Sequence, residues 1–345
     1  MKKQVVGETS PSGRIVYFDL LNICACLCVI FLHANSMVHT FAYGKNWVLA
    51  LAIECVFYWA VPIFFMLTGA TLMRYRDRYD TRTFFHRRLL KTAIPFIIWN
   101  LIWYLVLPQE NALSVRGFVS GVMSNQIVSV YWFFFPLFGI YLSLPALSWL
   151  VDKRETLWYL VGGTFILQSV MPKVFDLLGM SWNGELIVRV ASGHIMFVLL
   201  GYLLSTENIS KSRRRVIYAL GVFGLVFRFI WTFVVSEQAG SLDRTFFDYL
   251  GFPSVFYAIA IFVWFKYRDF SSLKKYASLL SKVSACSFGI YLVHRPIMQQ
   301  FLFGFLGIST TSVLARTIMP PLYYLTLLFI IYIIKRVPFL RRIVP

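Results

Sequence analysis

The run FDLLNICACLCVIFLHAN, Phe18 to Asn35, is almost wholly apolar, yet it carries a carboxylate, an amide and an imidazole at Asp19, Asn22 and His33. Ionisable groups are costly in hydrocarbon, so they are kept where they line a polar path or do chemistry. Asn22 and His33 are eleven residues apart. That is close to three whole helical turns, so both side chains share one face, about 16 Å apart along the axis. Asp19, three residues before Asn22, falls near the same stripe. A helix that lines a polar tunnel has this pattern; one that faces lipid does not. Glu54 stands about seven residues, or 10 Å, into the next apolar run, at a height comparable to that of His33. A carboxylate beside an imidazole orients it and raises its basicity, as general base catalysis requires. A competing expectation pairs Glu54 with Arg189 or Arg316, which lie near the same face. Of the other ionisable residues in apolar runs, Arg189, Asp248 and Arg316 sit close to run ends and are expected to snorkel to the interface or to glue helices together. Arg228 and His194 fit helix–helix hydrogen bonds as well as function. His294 joins His33 and Glu54 as a candidate for chemistry.

The elements that position these residues follow from composition. Hydrophobic residues make up 59% of the 345-residue chain and charged residues only 14%. Continuous apolar runs reach the roughly 20 residues that a membrane helix needs. They do not alternate as a transmembrane barrel strand would. The expected fold is all-α: a polytopic membrane helix bundle of about ten spans, near 15–36, 47–73, 90–107, 128–150, 157–171, 186–205, 216–236, 245–265, 283–304 and 313–335. With both termini and the even-numbered connections on one side, that side holds 25 of the 33 Lys and Arg. The other side holds Lys45, Arg116, Lys173 and Arg244. This asymmetry is the positive-inside pattern, so both termini are expected to be cytoplasmic. It also explains the net charge of +18 without nucleic acid. No cleavable signal peptide is expected, because the first apolar run is too long for one. The five cysteines fall inside spans and read as packing residues, and no metal-ligand spacing or nucleotide-binding loop is present. The connections are short, so residues 1–345 read as a single membrane domain with no soluble part.

Five stretches in order carry a resemblance: FDLLNICACLCVIFLH, VPIFFMLTGATLMRYR (Val61 to Arg76), FFHRRLLKTAIPFIIW (Phe84 to Trp99), YWFFFPLFGIYLSLPAL (Tyr131 to Leu147) and SFGIYLVHRPI (Ser287 to Ile297). Together the chain resembles the acyltransferase-3 family of integral-membrane O-acyltransferases, which decorate bacterial surface polysaccharides and related acceptors. Three positions depart from that family's pattern. Asn22 stands where a basic residue precedes the histidine, Lys91 replaces the second arginine of an Arg-x-x-Arg motif, and Thr68 replaces a serine. The resemblance implies a multi-pass protein of the bacterial plasma membrane. The expected donor is a cytoplasmic acyl-CoA, acetyl or succinyl for instance. The expected acceptor is a hydroxyl of an extracytoplasmic polysaccharide or its lipid-linked precursor, with His33 as general base.

The residues themselves accord with that implication. Between Arg74 and Lys91 lie seven basic residues, and coenzyme A carries several phosphate charges that guanidinium groups suit. Arg87, Arg88 and Lys91 are the candidate donor ligands, with Arg74 behind them; anionic lipid headgroups compete for the same charges. A neutral His33 would take the hydroxyl proton directly, or a covalent acyl-enzyme would form, and the sequence leaves both routes open. A developing oxyanion would want donors, and Tyr291, His294 and Asn22 are the candidates. Pro296 would loosen the helix beside His294 and free backbone groups. Trp132 and Tyr131 would stack on a sugar ring or belong to an interfacial aromatic belt. The alternative to acyl transfer is a polysaccharide or lipid-linked glycan transporter or flippase.

Overall fold

A computed structural model describes residues 15–108 and 113–345 of the chain, whose regular structure is helical, with no strand among them. The expected basic residues Lys2, Lys3 and Arg14 lie outside the described residues. The helices are α1 (Val16–Ala34), α2 (Lys45–Phe57), α3 (Ala60–Leu72), α4 (Thr81–Arg88), α5 (Ile94–Val106), α6 (Val115–Met123), α7 (Phe134–Leu147), α8 (Arg154–Thr164), α9 (Met171–Leu177), α10 (Ile195–Thr206), α11 (Lys211–Ala239), α12 (Phe252–Tyr267), α13 (Ala277–Ile297), α14 (Val313–Thr317) and α15 (Met319–Arg336). Proline explains the main interruption in the second span. Pro62 has no N–H for the Tyr58 carbonyl, so α2 ends at Phe57 and α3 restarts at Ala60. Pro320 and Pro321 similarly divide α14 from α15.

Among the described residues, seven stretches are long and apolar enough to cross a membrane: Val16–Ala34, Lys45–Asp77, Thr81–Val106, Ser129–Leu150, Lys211–Ala239, Ser271–Phe305 and Met319–Arg336. Two more apolar helices, α10 and α12, are shorter. Each is shorter than the span expected there. The half of 186–205 before Ile195 is mostly irregular, and Gly193 adopts φ 62°. The start of 245–265 is a loop, in which the Asp248 carboxylate accepts from the Gly251 N–H before Pro253 opens α12. The short span expected at 157–171 is the helical stretch from Arg154 to Leu177, in which α8 and α9 are joined by a π-helical turn.

The bundle centres on α1, which packs against α3 and α13; α13 in turn packs on α15, and α3 crosses α10. The α3–α10 crossing is backbone to backbone. A Cβ on Gly69 would stand 1.8 Å from the Val198 oxygen, and one on Gly201 would stand 1.9 Å from the Met66 oxygen. Only glycine permits that approach, the device by which membrane helices gain packing contact without hydrophobic driving force.

The basic loops meet at one end of the bundle. Arg74 pairs with Asp152, Arg154 pairs with Glu207 at 3.1 Å, and Arg76 Nε donates to Ser148 Oγ at 2.8 Å. Lys335 Nζ donates to the Ala285 oxygen at 2.9 Å. At the opposite end, Arg316 is fully buried and ties helices together instead of snorkelling to the interface. It donates to Asn46 and to the Thr311 oxygen, because the first turn of α2 and the loop before α14 offer it acceptors that lipid does not.

Candidate active site

The polar stripe of α1 opens onto a cavity of about 500 Å³ at the basic end. Asp19 and Asn22 line it from α1, Thr68 and Thr71 from α3, and Ser284 from α13. Arg88 and Lys91 enter from the other side. Three residues apart on a helical segment, they share a face. Arg87, one residue away from Arg88, points elsewhere: it is exposed and lies over the Tyr79 ring at 4.4 Å. Arg74 is likewise not in the cavity. Its guanidinium is taken up by Asp152, by Asp77 at 3.4 Å and by the Tyr202 hydroxyl at 3.1 Å. Of the four expected donor ligands, the structure therefore gathers Arg88 and Lys91 and assigns Arg74 to holding loops together. The π-helical turn Leu89–Ala93 before Pro95 carries Lys91; such turns recur at functional sites.

Asn22 stands where a cation was missing. Its side-chain Nδ2 donates to the Ser284 oxygen at 2.8 Å and to Ser284 Oγ at 2.9 Å. Its donors are spent on fixing α1 to α13, so it is not a free oxyanion donor. The cations that line the same cavity are Arg88 and Lys91.

Deeper along the same helices the lining turns apolar. Phe64, Phe133, Leu137 and Phe288 form the inner end. Beyond them an aromatic relay leads to two imidazoles. The Phe133 ring centroid is 5.6 Å from that of Tyr291, Tyr291 is 5.4 Å from His294, and His294 is 5.1 Å from His33. From Phe288 to His294 is six residues, about 9 Å of helix rise.

The imidazole pair is firmly held. His294 Nδ1 lies 2.8 Å from the Tyr291 carbonyl oxygen. A carbonyl only accepts, so Nδ1 carries the hydrogen and Nε2 keeps its lone pair. That Nε2 is buried with no hydrogen-bond partner. The Tyr323 hydroxyl donates to the His294 oxygen at 2.7 Å, and Arg295 Nη1 donates to the His33 oxygen at 2.8 Å, fastening the end of α1 to α13. Pro296 has no N–H to offer the Leu292 carbonyl, which accepts instead from the Tyr131 hydroxyl and from Trp103 Nε1 at 3.1 Å. In exchange the Tyr291 hydroxyl donates to the Val130 oxygen. Tyr291 and Tyr131 thus spend their hydroxyls on backbone: Tyr291 is not a free oxyanion donor, and Tyr131, 1% exposed, is not a sugar platform.

Glu54 does not meet His33, nor Arg189 or Arg316. Arg189 pairs with Glu185 at 2.6 Å and Arg316 is committed to Asn46. Glu54 is buried beside Asn35, whose side-chain amide donates to the Ala50 oxygen at 2.8 Å, and lies in the field of Arg228. Asn35 is two residues past His33, roughly 200° further round the helix, so a neighbour of Asn35 faces away from the imidazole. Comparable height along the axis did not fix azimuth. Arg228 lies 3.4 Å over the Tyr58 ring, Tyr58 stacks on Tyr249 at 4.2 Å, and Tyr249 stacks near Trp132 at 6.0 Å. Trp132 also lies 5.8 Å from His194. This half-buried wall of Trp132, Tyr249 and His194 adds Tyr249, which sequence reasoning missed because its loop carried no motif.

Comparison with curated proteins and with solved structures finds no match. A family model described as an acyltransferase domain matches residues 15–334. That is nearly the whole chain, from α1 through α15, and includes the cavity lining up to Phe288 and both imidazoles. The chain therefore belongs to the acyltransferase-3 family of membrane acyltransferases.

Proposed function

We propose that the protein carries an acyl group from acyl-CoA at the basic, cytoplasmic end to a hydroxyl of an acceptor beyond the membrane, a cell-surface polysaccharide or its lipid-linked precursor. The observation that carries this reading is the alignment on α1 and α13 of a cation-lined cavity with an imidazole pair one aromatic layer further in. Arg88 and Lys91 suit the phosphates of the donor, leaving the slender thioester arm to enter the cavity. His33 is half-buried, with its ring centroid 5.1 Å from that of His294. It takes the acceptor hydroxyl proton while the oxygen attacks the thioester carbonyl. The tetrahedral adduct collapses with loss of the thiolate, which recovers the proton from His33. The products are an ester and free coenzyme A. His294, its ring fixed through Nδ1 and packed beside that of His33, acts as a positioning residue. Trp132 and Tyr249 supply faces on which a sugar would stack.

The test uses purified protein in lipid nanodiscs with radiolabelled acetyl-CoA and glycan from the host surface. Label should pass to the glycan, and His33→Gln should abolish transfer while leaving donor binding in place. Transfer that survives His33→Gln would remove the base from this scheme. A protein that binds no acyl-CoA and moves glycan without it would instead be a transporter.

A further inference from the structure

The donor cavity is chemically graded along its length. At the basic end it is lined by Asp19, Arg88 and Lys91, with the hydroxyls of Thr71 and Thr92 near them. At the inner end it closes on Phe64, Phe133 and Phe288, and no Lys, Arg or His lines that end. The three rings come from α3, from the turn before α7, and from α13, so a small shift of one helix does not remove them together. Phe133 is the member held on both sides. It lies 6.1 Å from Phe64, 4.6 Å from Phe65 and 5.6 Å from Tyr291. With Tyr291 behind it, Phe133 stands between the cavity and the His294–His33 pair.

We propose that this aromatic floor is the acyl-size and acyl-charge filter of the enzyme, with Phe133 its determining residue, and that the group transferred is a short, uncharged acyl chain such as acetyl or propionyl. The inference rests on the donor reading above and narrows it. A thioester whose phosphates are held by Arg88 and Lys91 brings its acyl end against Phe133. Each further methylene there has no room unless the ring moves. A dicarboxylic acyl half such as succinyl would press a carboxylate against aromatic rings with no cation to pair it, and a buried unpaired charge is strongly disfavoured. Because the coenzyme portion is common to all acyl-CoA donors, the filter appears only in their relative affinities.

The experiment measures displacement of radiolabelled acetyl-CoA from full-length protein in nanodiscs by unlabelled acetyl-, hexanoyl- and succinyl-CoA, for wild type, Phe133→Ala and Phe133→Leu. Wild type should prefer acetyl-CoA over the other two by about ten-fold or more, the scale of discrimination that steric fit in a pocket provides. Phe133→Ala should bring hexanoyl-CoA to within about three-fold of acetyl-CoA and leave succinyl-CoA excluded. Phe133→Leu, which keeps apolar bulk and serves if the alanine variant does not fold, should shift the same preference part of the way. Wild type that binds succinyl-CoA as well as acetyl-CoA would overturn the charge filter. A length preference unmoved in both variants would overturn the role of Phe133. Neither result touches the donor reading. That reading fails separately if wild type binds no acyl-CoA, and the filter falls with it.

Discussion

The cation-lined cavity and the imidazole pair share two helices, α1 and α13, and are built in opposite ways. The cavity is open and graded, and its charges stand at the mouth, where water and counter-ions reach them. The imidazoles are enclosed, with almost every polar atom around them already bonded to backbone: Tyr291 to Val130, Tyr131 and Trp103 to Leu292, Tyr323 and Arg295 to the carbonyls of His294 and His33. The His294 Nε2 lone pair has no partner there. On the proposed function, the difference teaches that charge would attract and order the donor at one level, while fixed geometry at another would decide where a proton goes. A region that works by charge should tolerate substitutions that keep charge and fail with salt. A region that works by geometry should tolerate neither.

The sharpest break of that contrast lies at the two imidazoles. His33→Gln should lower turnover by about 10²–10⁴-fold, the range general base catalysis supplies, with acetyl-CoA affinity changed less than two-fold. His294→Gln should cost less, because it removes an orienting ring and not the base. Its pH–rate profile should shift where that of a merely destabilised protein would not. Equal losses with unchanged profiles would mean that the pair acts as one packing unit.

The cavity mouth gives the next effect. Arg88→Ala and Lys91→Ala should each raise the donor KM by about ten-fold or more, since a charge-assisted hydrogen bond is worth about 1.5–3 kcal/mol. The loss should shrink as salt is raised. Arg87→Ala should change KM by less than about two-fold, because its side chain lies over Tyr79 outside the cavity. Comparable effects at Arg87 and Arg88 would return the basic loop to a diffuse lipid-binding role.

Much of this was legible before any coordinates. The polar stripe of α1, the basic loop and the His294–Pro296 helix stand in the sequence because polar groups in an apolar run have few other reasons to persist. Helical period also separated Arg88 and Lys91 from Arg87 in principle. What stayed hidden was azimuth between helices. Glu54 was expected at a height comparable to that of His33 but lies beside Asn35, on another side of the helix end. The glycine crossing of Gly69 and Gly201 was equally silent, since a glycine in an apolar run marks close approach only once its partner is known. The Phe133 floor was hidden by abundance: with 34 phenylalanines, no pattern singles out one.

The hydrogen-bond exchange around Pro296 tests how rigid the imidazole end is. Tyr131→Phe leaves the Leu292 carbonyl with Trp103 alone and should cost about 1 kcal/mol of stability, read as a lower melting temperature. Pro296→Ala restores an N–H within the helix. In that background Tyr131→Phe should cost clearly less, and a double-mutant cycle reads the difference. Additive losses would show that the tyrosine hydroxyl does not compensate for proline.

The smallest expected effect concerns how α4 delivers Arg88 to the cavity. Asp80 caps that helix: its carboxylate accepts from the Thr83 hydroxyl and from the Thr83 N–H, the latter at 2.9 Å, and these bonds hold it below the ordinary carboxylate range. A depressed carboxylate stabilises the folded helix fully above its unfolded value, and that contribution fades as pH falls through the depressed value. Amide exchange at Thr83, corrected for its intrinsic pH dependence, should therefore lose protection only on strong acidification. Asp80→Asn keeps an acceptor without the charge, so it should retain most of the protection and lose the acid dependence. Donor KM near neutral pH should barely move in that variant. A large rise would mean that α4 is ordered by the charge at its start and not by the packing of Phe84, which is fully buried within the core.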